Sequence, residues 1–89
     1  MKKHLKLKIT GKVQGVWYRA SFQKEAQKLQ VGGFARNEPD GSVYAEVEGD
    51  YLILKRLVDW CWKGPELARV SNIIVEEGEV EGYALFEVK

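Results

Sequence analysis

Leu5, Leu7 and Ile9 alternate with Lys6, Lys8 and Thr10, a period of two that predicts a first strand with one buried and one solvated face. From Tyr18 the spacing changes. Phe22, Ala26 and Leu29 are separated by Gln23, Lys24, Gln27 and Lys28, a helical stripe that predicts a first helix over Ala20–Leu29. Gly32 and Gly33 break that pattern, and Phe34 to Asn37 can extend. Pro39-Asp40-Gly41 then reverses the chain, because proline fixes one turn position and glycine accepts positive φ. The returning arm of this hairpin places Val43, Ala45 and Val47 inward and Tyr44, Glu46 and Glu48 outward. Asp50 can cap a second helix whose inner stripe is Leu54, Leu57 and Cys61, ending near Lys63, where Gly64-Pro65 supplies a stop. Ile73 with Val75, and Phe86 with Val88, predict two more strands, separated by a polar turn region from Glu76 to Gly82.

The order strand, helix, strand, strand, helix, strand, with one extra C-terminal strand, predicts an α+β fold. It is a ferredoxin-like βαββαβ sandwich with two helices on one face of an antiparallel sheet. Lys6 and Lys8 then belong to the other, solvated face. At 89 residues the chain is expected to be one domain, residues 1–89, since either half alone could not build a core. The plan hosts RNA binders, regulatory modules and enzymes alike, so function has to be read from particular residues.

Composition narrows the choice. Fourteen basic residues against thirteen acidic ones leave a net charge of +1, too balanced to imply a nucleic-acid or membrane surface by bulk attraction. Any anion site must be local. One cysteine excludes an internal disulfide, and one histidine leaves no set of His and Cys ligands for zinc; no cofactor is expected. Cys61 reads as a small buried hydrophobe, His4 as a solvated residue near the terminus, and Glu76, Glu77, Glu79 and Glu81 as a solvated loop. Trp60 and Trp62 flank Cys61 and cannot both face the core. The amino terminus holds no uninterrupted apolar run, so a cytoplasmic protein is expected, and a monomer is the default.

The informative stretch joins the first strand to the first helix: Gly11-Lys12-Val13-Gln14-Gly15-Val16-Trp17-Tyr18-Arg19. A loop entering a helix leaves backbone N–H groups without intrahelical partners at the positive end of the helix dipole, which suits an anion. Gly15 removes a side chain that would hold an anion away, and Arg19 can fold back to add two parallel charge-assisted hydrogen bonds. Taken alone, the loop is equally well explained by a glycine turn beside a solvated arginine.

The second informative stretch is Gly33-Phe34-Ala35-Arg36-Asn37-Glu38-Pro39-Asp40-Gly41-Ser42. Together the two resemble the acylphosphatase family, whose signature is a Gly-x-Val-Gln-Gly-Val-x-Phe-Arg loop followed, after one helix, by Gly-x-x-x-Asn and Asp-Gly. The resemblance covers Gly11 to Val43 closely, and Gly64-Pro65 with Ala68 and Val70 is similar to the family's exit from its second helix. Tyr18 stands where phenylalanine is usual. Gln30 stands where the family generally ends its first helix with glycine, so either Gln30 is left-handed or the helix ends at Gly32. Glu38 puts a carboxylate beside Asn37, where it would repel an anion unless it points outward.

The resemblance implies a metal-free hydrolase that cleaves the carboxyl–phosphate bond of small-molecule acyl phosphates, with inorganic phosphate as product and inhibitor. It implies a phosphate-binding loop of Gln14, Gly15, Val16, Trp17, Tyr18 and Arg19, with Arg19 and Asn37 as catalytic residues, the latter orienting the attacking water. Trp17 lies where it can shape substrate entry. Two alternatives belong to other classes: a non-catalytic ligand-binding or accessory acylphosphatase-like domain, and a single-stranded RNA-binding module. The second needs a stacking platform on the central strands, where Tyr44 is the only outward aromatic of its strand.

Overall fold

A computed structural model describes residues 1–89. Strand β1 (Lys2–Lys12) is followed by helix α1 (Tyr18–Lys28), strands β2 (Gly32–Asn37) and β3 (Val43–Asp50), helix α2 (Tyr51–Lys63), and strands β4 (Arg69–Gly78) and β5 (Phe86–Val88). The five strands lie in the order β4-β1-β3-β2-β5 with the helices packed on one face, the expected ferredoxin-like α+β sandwich. Leu7 pairs with Ala45 and Val75, while Ala35 pairs with Ala45 from the other side.

One feature of the sheet differs from the expectation of an antiparallel array: β5 runs parallel to β2, with Phe86 opposite Gly33. β4 and β5 lie at opposite edges of the sheet, so the chain between them has to cross it. After β4, residues 79–85 pass over the open face instead of turning back, and the chain joins the far edge, where the Gly33 N–H donates to the Leu85 carbonyl at 2.9 Å. Gly32 and Gly33 permit the close approach. A Cβ on Gly32 would collide with the Tyr83 carbonyl, and one on Gly33, whose φ is 137°, would collide with the Glu46 carbonyl.

Leu7, Ile9, Val43, Ala45 and Val47 from the sheet meet Phe22 and Ala26 of α1 and Leu54, Leu57 and Cys61 of α2, all fully buried. Each large side chain among them contributes about 1.5–3 kcal/mol by leaving water. Aromatic rings fill the wedge between the helices: Phe22 stacks on Phe86 at 5.1 Å, and Trp60 meets both Tyr18 and Phe22. Trp62 remains exposed. The additional hydroxyl of Tyr18 is satisfied inside the core, where it donates to the Cys61 carbonyl at 2.6 Å. Burial pushes the Cys61 thiol up to about 12, so it is a neutral core residue.

Helix α1 begins at Tyr18, two residues before the expected start, because Trp17 takes the N-cap position in a left-handed conformation that no capping side chain announces. At its other end Gln30 adopts φ 59°, the left-handed alternative that its place in the sequence left open. Asp50 caps α2 as expected, its carboxylate accepting from the Leu52 N–H at 3.0 Å. The Gly64 N–H closes that helix on the Trp60 carbonyl.

The open face of the sheet corrects two readings. His4 is fully buried rather than solvated, and Glu48 is buried rather than in water. Strand alternation does send both side chains away from the helices, but the crossing segment covers them. Glu48 accepts from the N–H groups of Glu81, Gly82 and Tyr83 at 2.7, 2.7 and 2.9 Å. His4 lies between two carboxylates, Nδ1 at 2.9 Å from Glu48 and Nε2 at 2.7 Å from Glu46, with Tyr83 stacked on its ring. His4, Glu46 and Glu81 bring potential metal-ligating atoms within 4.8 Å of one another, yet both imidazole nitrogens are committed to the carboxylates.

Candidate active site

β1 delivers the chain into the loop between two buried anchors, Val13 and Val16. Between them, Gln14 directs its side-chain amide at the β2–β3 hairpin, Nε2 donating to the carbonyls of Glu38 at 2.8 Å and Ser42 at 2.9 Å. This pair of bonds ties the loop to the turn that follows Asn37. Gly15 then takes φ 73° and Trp17 φ 66°, which turns the backbone into α1, whose first bond is Ser21 N–H to the Trp17 carbonyl at 3.0 Å. The N–H groups from Gly15 through Arg19 have no hydrogen-bond partner within the chain. They stand at the positive end of an 11-residue helix, a setting that favours an anion.

Gly15, Trp17, Tyr18 and Arg19 line one cleft of about 480 Å³, and Asn37 lines the same cleft from the end of β2. Five of the candidate residues therefore meet at one place. Gln14 and Val16 do not line it; they hold the loop from behind, one by its bonds to the hairpin and the other by burial. Tyr18 spends its hydroxyl on the core, where burial raises its pKa far above the usual range, so what it has left for the cleft is its main-chain N–H.

Val88 and Gln23 also line the cleft and were not anticipated as site residues. Arg19 donates from one terminal nitrogen to the Lys89 carbonyl at 2.8 Å, and Gln23 donates to the Phe86 carbonyl at 3.2 Å. Two consecutive turns of α1 thus grip β5 and make it a wall of the cleft. The alternation of Phe86 and Val88 announces a strand, but nothing local announces its neighbour, which is set by the crossing segment.

Electrostatically the rim is quieter than the sequence suggested. Glu38 is paired with Arg36, Oε2 to Nε at 3.0 Å, so its charge is answered locally. Asp40 is held well below the usual carboxylate range by the Ser42 hydroxyl and N–H and by Lys8 at 3.0 Å. These contacts stiffen the turn between Asn37 and Val43.

Fold and loop together define a small α+β protein with a cleft at the start of its first helix, lined by residues of the loop and by Asn37. The acylphosphatase family model matches residues 5–88. An acylphosphatase of Thiobacillus denitrificans is 48% identical over 96% of this chain and 94% of its own length. The solved acylphosphatase of Coxiella burnetii superposes with a TM-score of 0.95 at 38% identity, covering 99% of this chain and 93% of that one. A full-length HypF, solved in a phosphate- and nucleotide-bound form, also matches, with a TM-score of 0.89 at 27% identity, but the match covers only 12% of its length. The chain belongs to the acylphosphatase family and is a hydrolase.

Proposed function

We propose that the chain hydrolyses acyl phosphates, R–CO–O–PO₃²⁻, to a carboxylate and inorganic phosphate, using Arg19, Asn37 and the loop amides. The observation that carries this reading is the row of unpartnered N–H groups from Gly15 to Arg19 on the cleft that Arg19 and Asn37 also line. The phosphate oxygens accept from those amides. Arg19 keeps donors beyond the one given to Lys89, since a guanidinium carries five N–H bonds, and the Lys89 carbonyl steadies it.

Asn37 holds a water behind the phosphorus, in line with the leaving carboxylate, with an amide that adds no negative charge. Water oxygen forms the new bond to phosphorus as the bond to the acyl oxygen breaks. The bonding pair leaves on the carboxylate, and the water's proton passes to a phosphate oxygen. A loose phosphoryl transition state asks mainly for position and for charge stabilisation on the equatorial oxygens, which fixed amides supply. Acyl phosphates have a good leaving group, so this route requires neither a metal nor a strong acid.

The protein acts as a single-domain monomer in a reducing compartment such as the cytoplasm. The lone, buried Cys61 is in keeping with that setting, and no helix is long and apolar enough to cross a membrane. Nucleic acid is not a partner. In support, Arg36 lies over Tyr44 at 4.9 Å and Lys89 over Phe34 at 4.2 Å, so the aromatic faces of the sheet already carry the chain's own cations. Inorganic phosphate competes with substrate at the loop.

The test is a pair of variants assayed on benzoyl phosphate. Arg19→Ala keeps the fold and loses roughly two to three orders of magnitude in turnover, the cost of deleting one charge-stabilising donor. Asn37→Ala lowers turnover while inorganic phosphate still inhibits. Full activity in Arg19→Ala overturns its role, and loss of phosphate inhibition in Asn37→Ala makes that residue a phosphate ligand instead. Phosphate binding by the unaltered protein without turnover favours the non-catalytic alternative.

A further inference from the structure

The cleft is furnished with loop amides, the Arg19 guanidinium and the side-chain amides of Asn37 and Gln23, but its lining also includes the apolar side chains of Val13, Trp17, Ala20 and Val88. The Trp17 side chain is 75% exposed although it is the largest type in the chain, and it lies between two buried neighbours, Val16 and Tyr18. With both neighbours anchored, the indole has no access to the core and stands at the cleft. Its backbone is also costly. Trp17 has φ 66°, a conformation that bulky L-residues rarely adopt, whereas glycine would take it freely and expose no apolar surface. Neither packing nor backbone preference accounts for tryptophan at this position. Strain of this kind gathers where a site is organised for a ligand.

Val88, another exposed apolar side chain, lines the same cleft from β5, and Ala20 lines it from α1. Gln23 has its amide nitrogen engaged by the Phe86 carbonyl. At about 480 Å³ the cleft has the size of a small-molecule site and holds more than a phosphate and one water. A substrate whose phosphate sits on the amides of Gly15 to Arg19 extends its acyl group along the apolar side chains. An aromatic acyl group can stack on the indole, and acetyl is too small to reach much of it.

We propose that Trp17, together with Val88, forms an acyl-side subsite that selects aromatic acyl phosphates over acetyl phosphate. The inference rests on the cleft being the acyl phosphate site and adds which acyl chemistry it prefers. Trp17 acts as a specificity residue through its ring, while its main-chain N–H belongs to the phosphate cradle.

The experiment measures kcat/KM for benzoyl phosphate and for acetyl phosphate with the intact protein and with Trp17→Ala, Trp17→Gly and Trp17→Phe. Any loss common to both substrates cancels in their ratio. The benzoyl-to-acetyl ratio falls on the order of 5–10-fold in both Trp17→Ala and Trp17→Gly, and Trp17→Phe retains most of it. Glycine matters because it removes the ring and also relieves the left-handed strain. A ratio unchanged by either substitution, or restored by glycine alone, means that Trp17 acts through loop conformation and overturns the proposal. Calorimetric binding of benzylphosphonate and methylphosphonate provides a readout independent of turnover. The unaltered protein prefers benzylphosphonate, and Trp17→Ala loses that preference; equal affinities in the unaltered protein overturn the subsite. Should neither acyl phosphate be hydrolysed, the reaction assignment fails, and the phosphonate pair still decides the subsite.

Discussion

Replacing Glu48 by glutamine tests how the crossing segment is held, and the expected effect can be worked out from the contacts. The carboxylate is 1% exposed and accepts from three backbone N–H groups and from His4. Burial alone would raise its pKa. The Glu81 N–H, His4, and the N–H groups of Gly82 and Tyr83 outweigh burial and bring it from the ordinary 4.5 down to about 2. A depressed carboxyl stabilises the fold above its unfolded value and loses that contribution as pH falls through its folded value. The window here is therefore from about 4.5 to about 2. At about 1.4 kcal/mol per pH unit the contribution is about 3 kcal/mol. Glutamine keeps the shape but loses the charge, and one of its two ends would present N–H to N–H. Glu48→Gln therefore costs about 3 kcal/mol at neutral pH, which in a domain of this size lowers Tm by roughly 10–20 °C. Urea titrations of both proteins at several pH values between 2 and 7 measure this. The unaltered protein loses stability steeply below about pH 4.5, and the variant is flatter there. Parallel pH profiles, or a difference under about 1 kcal/mol at neutral pH, would refute the reasoning.

Two further outcomes follow from the same contacts and from α1. Although burial opposes it, the hydrogen bonds that His4 donates to Glu48 and Glu46 raise its pKa, so its ring resonances titrate above 6.5, and the stabilisation from His4 between the two carboxylates is complete below that value and fades as pH rises through the raised one. A titration at or below 6.5 by NMR contradicts an imidazolium between the two carboxylates. Gln30→Gly removes a left-handed non-glycine residue and stabilises the protein by about 0.5–1 kcal/mol in thermal unfolding; destabilisation means the Gln30 side chain has an unrecognised role.

Much of the fold was legible because its signals are local. The stripes Phe22–Ala26 and Leu54–Leu57–Cys61, the Asp50 cap and the Pro39-Asp40-Gly41 turn each specify an element within a few residues, and each appears in the structure. The loop and Asn37 were legible for a different reason: the loop alone was equally well explained by a glycine turn beside a solvated arginine, and it was the resemblance of the two stretches to the acylphosphatase signature that singled out Gly15, Arg19 and Asn37, which line one cleft. His4 and Glu48 were misread because alternation reports which face of a strand a side chain takes, not whether a distant segment later covers that face. The cover comes from Glu81 to Tyr83, a stretch with no periodic pattern. The parallel pairing of β5, and with it the Lys89 carbonyl that steadies Arg19, depends on the same crossing. The early start of α1 was hidden because its N-cap is a left-handed tryptophan, where a serine or aspartate would have marked it.

If the loop amides and Arg19 hold the phosphate while Asn37 aims water at phosphorus, the oxygen of the attacking water ends in inorganic phosphate. Hydrolysis of benzoyl phosphate in heavy-oxygen water, with mass spectrometry of both products after a single turnover, tests it most directly. The label is expected in inorganic phosphate and none in benzoate. Label in benzoate would mean attack at the acyl carbon, which a cradle built around the phosphate and a water behind it would not produce.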